Sequence, residues 1–265
     1  MLIAGLVIAA GCTSADPTGP ADAAVEIDDD SPDPRDAGRR AVVVATTGCG
    51  SAPGGEGSGV ALAPTRILTA AHVVAGATEV TVRLRGEVPI DRSIGTAETT
   101  GDAAGPDATP ALRTVEATVV AYDTRRDLAL LDLDGDGVAA PAGPVPIRDL
   151  GTGDAGIIIG AGVSGDIPFT VAERTIIEID EVRGTDRVRR AGYLLEAATS
   201  PGDSGSGLYD GRGYLVGVLF AVSTDNGRRS WATAGDEVDA FITDLDVRGD
   251  FACDPDRSRL APIGP

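Results

Sequence analysis

The chain has a single histidine, His72, among 265 residues, so any imidazole chemistry must run through that one side chain. Imidazole takes and returns a proton near neutrality, which is what a general base must do. A hydroxyl that such a base can activate stands in Pro201-Gly202-Asp203-Ser204-Gly205-Ser206-Gly207. Glycines at 202 and 205 permit a tight turn that exposes the Ser204 hydroxyl, and the N–H groups of Gly202 and Ser204 can then converge on one point to hold an oxyanion. An acyl-transfer nucleophile needs both features. A third group must orient the imidazole so that its unprotonated nitrogen faces the hydroxyl, and Asp123, Asp127 and Asp132 all lie between His72 and Ser204. Another acidic cluster is set aside: Asp132-Leu133-Asp134-Gly135-Asp136-Gly137 begins like a calcium loop, but its twelfth position is Gly143 where a bidentate Glu is needed, and no helices flank it. No metal site is read from the sequence.

Positioning these groups falls to strands. Short β-branched runs recur at 41–47, 79–84, 115–122, 128–133, 157–159, 175–179, 193–196 and 214–222, separated by Gly, Pro or Asp turn material. That pattern predicts an antiparallel β-sandwich or barrel architecture. The segment 208–214, with Asp210-Gly211 at its tip, reads as a hairpin. One helix is predicted over 236–245, where Val238, Phe241, Ile242 and Leu245 follow i, i+3, i+4, i+7 spacing. The stretch 91–114 is low in large apolar residues and reads as a long surface loop.

The segment Gly57-Ser58-Gly59-Val60-Ala61-Leu62, a turn at Ala63-Pro64-Thr65, and then Ile67-Leu68-Thr69-Ala70-Ala71-His72 closely resembles the histidine segment of the trypsin/chymotrypsin-like serine proteases. The Gly202-Asp203-Ser204-Gly205 string, followed by the apolar run 215–219, resembles the nucleophile segment of the same family. Asp127-Leu128-Ala129-Leu130-Leu131 matches the family's placement of its orienting acid at the mouth of a buried strand, which prefers Asp127 over Asp123 and Asp132. The order His, Asp, Ser is that of the chymotrypsin-like fold. The resemblance covers about 41–245 and implies an all-β protein of two antiparallel β-barrels with a C-terminal helix. It implies His72 and Asp127 on the first barrel and Ser204 on the second, with peptide hydrolysis through an acyl-enzyme and no metal or organic cofactor. It also implies a primary specificity pocket based on Ala198 and lined by Phe220 and Val222, narrow and suited to small apolar side chains. Ser204-Gly205-Ser206-Gly207 is closer to bacterial members such as glutamyl endopeptidases, yet the second pocket histidine of Glu-selective members has no counterpart here. No Ile-Val-Gly-Gly follows a basic site, so Asp203 is expected to have a partner other than a freed terminal amine, and activity without zymogen processing is expected. The pair Arg39-Arg40 reads as the solvated end of a linker.

Outside that domain, residues 1–11 are apolar or small and too short to span a bilayer. They read as a signal peptide. Ala9-Ala10-Gly11-Cys12 resembles the lipobox of bacterial lipoproteins, which implies a lipid anchor on Cys12 and a place in the cell envelope, or secretion if the box is not used. Residues 13–40 are rich in Pro, Asp, Ala and Ser and read as a disordered acidic tether, and 246–265 as a tail. With Cys12 lipidated, Cys49 and Cys253 form an even pair in an exported protein, and a disulfide between them is expected. A net charge of -19, with all 22 basic residues being Arg, repels phosphate backbones and disfavours nucleic acid as a partner. The expected partner is a protein or peptide substrate, met by a monomer.

Overall fold

The computed structural model describes residues 32, 34–48, 54–85, 112–135, 137, 141, 144–161, 165–182, 186–222, 228–245 and 247–248. Within them the β-branched runs pair into two antiparallel barrels. The first is built from β1 (Ala41–Thr47), β2 (Glu56–Ala63), β3 (Arg66–Thr69), β4 (Glu79–Arg85), β5 (Leu112–Asp123) and β6 (Leu128–Leu133). These lie in the order β5-β4-β1-β2-β3-β6, and β5 pairs with β6 to bring the sheet back on itself. The second is a closed barrel of β7 (Ala155–Ile159), β8 (Asp166–Asp180), β9 (Arg187–Glu196), β10 (Gly207–Asp210), β11 (Leu215–Val222) and β12 (Arg229–Ala234). This is the chymotrypsin-like double barrel. Helix α1 (Pro34–Arg39) precedes the first barrel, the single turn α2 (Ala71–Val74) follows β3, and α3 (Gly235–Thr243) follows the second barrel. A short β13 (Val247–Arg248) runs parallel to the end of β5.

Each barrel has its own apolar filling, and a third cluster joins them. Leu128 to Leu131 shows why their run is continuously apolar: Ala129 and Leu131 point into the first barrel, while Leu128 and Leu130 point into the cluster between the barrels. A strand buried on both faces cannot alternate with polar residues. Ile67 and Leu68 on β3 divide the same way. Tyr209, Leu215 and Val218 of the second barrel enter that shared cluster, and so do Val238 and Phe241 of α3.

Several boundaries differ from the sequence reading. The predicted helix 236–245 is α3, which stops at Thr243, leaving Leu245 48% exposed instead of completing the apolar face. Leu112–Thr114, expected in the long loop, begin β5, paired with β4. Strand β8 begins at Asp166 and β9 at Arg187, well before the expected 175 and 193: the added part of β8 alternates buried Ile167, Phe169 and Val171 with exposed residues, while the added part of β9, rich in arginine, is held by pairing with 175–180 of β8. The tether ends earlier than expected. Ala37 and Arg40, three apart around α1, are 3% and 5% exposed, and Arg40 Nη1 donates to Ala61 O at 3.0 Å. Arg40 O also accepts from Ala61 N–H at 2.7 Å, so Arg39-Arg40 is no solvated linker end: its second arginine is stitched to β2. The leader, Cys12, Cys49 and Cys253 lie outside the described residues.

Candidate active site

Strand register brings the histidine segment to the Asp127 turn. Thr69 at the end of β3 pairs with Ala129 at the start of β6, three residues before His72 and two after Asp127. Ala70 and Ala71 are fully buried, and their small side chains let the chain turn at once into α2, with Val73 N–H donating to Ala70 O at 3.1 Å. His72 keeps 29% of its side chain exposed. Asp127 ends the turn 124–127 with φ of 55°, the one positive φ of a non-glycine among the described residues. Its short polar side chain tolerates this conformation better than most. Asp127 Oδ1 accepts the His72 backbone N–H at 2.8 Å, and Oδ2 lies 2.9 Å from Nδ1. The carboxylate therefore holds both the ring and its backbone. In the neutral imidazole this assigns the proton to Nδ1 and leaves the Nε2 lone pair free.

Ser204 is presented by a turn that uses left-handed backbone twice, at Gly202 (φ 100°) and Gly205 (φ 88°). Asp203 N–H donates to Ser200 O at 3.1 Å, and Asp203 Oδ2 accepts the Ser200 N–H at 2.8 Å. Ser206 N–H donates to Asp203 O at 3.0 Å and Gly205 N–H to Leu219 O at 2.8 Å. Among the described residues, no acceptor takes the N–H of Gly202 or Ser204. The turn belongs to the second barrel yet is sewn to β2 of the first: Ser58 N–H donates to Ser204 O at 2.7 Å and Ser58 Oγ to Gly202 O at 3.3 Å. Thr69 Oγ1 in turn donates to Ser58 O at 2.7 Å. The strand leading to His72 and the turn carrying Ser204 are thus locked to one residue. The Ser204 hydroxyl donates to Phe220 O over a long 3.5 Å, and among the described residues it makes no hydrogen bond to His72.

The family model of the trypsin-like peptidase domain matches residues 57–218, a span that contains His72, Asp127 and Ser204. The chain belongs to that family. It is 30% identical over 194 residues to the serine protease Rv3671c of Mycobacterium tuberculosis (strain H37Rv), covering 69% of this chain and 40% of that protein. A putative serine protease HhoA of Synechocystis is 27% identical over 198 residues, covering 74% of this chain and 44% of its own. This chain therefore spans well under half of the curated relatives it matches. The crystal structure of the Rv3671c protease in its active form superposes with a TM-score of 0.61 at 25% identity, covering 82% of this chain and 86% of that one.

For a trypsin-like domain the electrostatics of the pair are informative. Burial works to lower the His72 pKa, but the charge and hydrogen bond of Asp127 outweigh it, together with the opposing Arg190 charge, and hold the imidazole above its ordinary value. Burial works to raise Asp127, and the His72 charge and hydrogen bond, the Arg190 charge and the His72 backbone N–H hold it below the usual carboxylate range. Arg190 was missed by the sequence reading. It lies on β9, is 3% exposed, and sets Nη2 3.7 Å from Asp127 Oδ2 with its guanidinium 4.1 Å above the Phe220 ring. The available signal was its phase, since Val188 two residues earlier is also buried.

The residues expected to line the specificity pocket do not share one environment. Ala198 is exposed and lines a cavity of about 450 Å³ with Pro168, Glu196, Ala197, Arg228 and Arg229. The Phe220 side chain is buried under Arg190, and Val222 is half-buried; neither lines that cavity.

Proposed function

We propose that this chain is a serine endopeptidase in which Ser204, His72 and Asp127 act together on peptide bonds. The observation that carries this reading is the double lock on one residue: Ser58 ties the Ser204 turn to the strand that leads into His72, while Asp127 already holds that imidazole through Nδ1. For reaction, the Ser204 hydroxyl leaves its long contact with Phe220 O and turns to the free Nε2 of His72. Nε2 takes the proton as Oγ bonds to the substrate carbonyl carbon. The carbonyl oxygen, now an oxyanion, meets the N–H groups of Gly202 and Ser204, which have no competing acceptor among the described residues. The proton on Nε2 passes to the leaving amine as the C–N bond breaks, and water releases the acyl group by the same route.

The Asp203 carboxylate accepts within its own turn, from Ser200 N–H, which supports activity that does not wait for a newly freed terminal amine. Export through the leader, a lipid anchor on Cys12, a Cys49–Cys253 disulfide and action as a monomer on protein or peptide substrates complete the proposal. The test is fluorophosphonate labelling of the full chain with mapping of the modified peptide. Labelling at Ser204 that is lost in Ser204→Ala and His72→Ala supports the reading; a folded wild-type protein that neither labels nor cleaves an unfolded protein substrate overturns it in favour of a silent or latent surface protein.

A further inference from the structure

The turn 124–127 that delivers Asp127 belongs to the first barrel, yet the second barrel and α3 hold it. Arg190 Nη1 donates to Arg125 O at 3.0 Å, and Thr233 Oγ1 donates to Arg126 O at 3.0 Å. Glu237 of α3 accepts from Arg126 Nε at 2.8 Å and from Ala191 N–H at 3.0 Å, and Arg126 Nη1 reaches Asp123 Oδ2 at 2.7 Å. Most of these contacts satisfy one another. Arg190 is different, because a guanidinium this deeply buried normally finds a close, forked carboxylate. Here, among the described residues, its nearest carboxylate oxygen is Asp127 Oδ2 at 3.7 Å, and its Nε has no hydrogen-bond partner. What it touches is the site itself. It faces Asp127, binds the carbonyl of the Asp127 turn, and stacks on Phe220, whose own carbonyl receives the Ser204 hydroxyl.

We propose that Arg190 is a positioning residue that docks the second barrel onto the Asp127 turn and places a permanent positive charge behind Asp127, setting how strongly that carboxylate draws a proton onto His72. This rests on the reading of His72, Asp127 and Ser204 given above. The charged groups that act on Asp127 are His72 and Arg190; those that act on Arg190 are Asp127, Glu237 and Asp123, and Arg126 pairs with the last two. Removing the guanidinium leaves Asp127 answered by His72 alone. The imidazolium is then more favoured, and His72 holds its proton to higher pH.

Since the chain has one histidine, its imidazole resonance can be titrated by NMR without assignment and without turnover. We expect the His72 midpoint in Arg190→Gln to rise by roughly half a pH unit or more, the acid limb of kcat/KM to move with it, and kcat to fall roughly ten- to a hundredfold as the turn loosens. Arg190→Lys keeps the charge but not the fork or the flat stacking face. It is expected to hold the wild-type midpoint with a lowered kcat. A folded Arg190→Gln protein with an unmoved His72 midpoint overturns the proposal. If Arg190→Gln does not fold, Arg190→Lys decides: a wild-type kcat overturns it, and a lowered kcat at an unmoved midpoint supports it. Failure of the protease reading shows itself separately, as a wild-type chain that titrates normally but does not label at Ser204.

Discussion

Replacing Gly205 by alanine tests whether the nucleophile turn is seated where the hydrogen bonds place it. A Cβ at that position falls 2.0 Å from Ser58 O and 2.5 Å from Thr69 Oγ1, and neither can retreat without breaking the bond between them. The residue also has φ of 88°, which an L side chain adopts at a penalty of about 1–2 kcal/mol. Overpacking adds about 1–3 kcal/mol. Gly202→Ala separates the two effects, because its φ is 100° but its Cβ would meet nothing within 4 Å. For a domain of this size each kcal/mol lowers Tm by about 2–4 °C. Gly205→Ala should therefore melt roughly 4–20 °C below wild type and Gly202→Ala roughly 2–8 °C below, while Gly211→Ala, open on all sides, should hardly move. Calorimetry on the three variants reads these differences, and fluorophosphonate labelling should fall further in Gly205→Ala than its stability loss explains, since Ser204 is displaced from Ser58. Equal melting points for Gly205→Ala and Gly202→Ala would refute the close approach to Ser58 and with it the lock between the barrels.

Asp127→Asn should fold, since Asn also tolerates the left-handed backbone, but lose about 10⁴-fold in kcat because the amide no longer holds the imidazole in the working tautomer; kcat on a peptide ester measures this. In the wild type the acid limb of kcat/KM should lie above the ordinary histidine value of 6.5, because the neutral imidazole is the active form and Asp127 favours the protonated one. Stability from the same pair runs the other way. The raised His72 contributes fully below its unfolded value and is lost as pH climbs through its folded value, whereas the lowered Asp127 contributes above its unfolded value of 3.8 and is lost as pH falls through its folded one. Melting curves against pH should thus show the pair's contribution greatest between about 4 and 6.5, below the pH of best activity. Tyr209→Phe should leave Tm unchanged or raise it, because the buried phenol has no hydrogen-bond partner among the described residues; a loss beyond about 1 kcal/mol would reveal one.

Local chemistry made much of this protein legible in one dimension. His72 stands alone as a base, the glycines around Ser204 announce a left-handed turn, and the doubly buried run Leu128 to Leu131 marks the strand that Asp127 opens. Each of these is a requirement on a single residue or its immediate neighbours, so it survives in the sequence. The arginine-rich start of β9, residues 187–192, was not legible, because its pairing with β8 supplies what apolar periodicity does not. Nor was the burial of Arg40, which depends on β2 bringing the Ala61 carbonyl within reach of its guanidinium.

Tertiary structure alone decided how the two barrels meet. Ser58 looks like any small residue in a strand, and it becomes the link between nucleophile and base because β2 runs beside the Ser204 turn. Arg190 reads as a surface arginine next to Arg189, and only the closure of the second barrel against the Asp127 turn buries its charge. The physical reason is one of range. Propensity, turn chemistry and strand alternation act over a few residues, whereas desolvation and the field of a buried charge depend on whichever groups the fold brings within a few ångströms from distant parts of the chain.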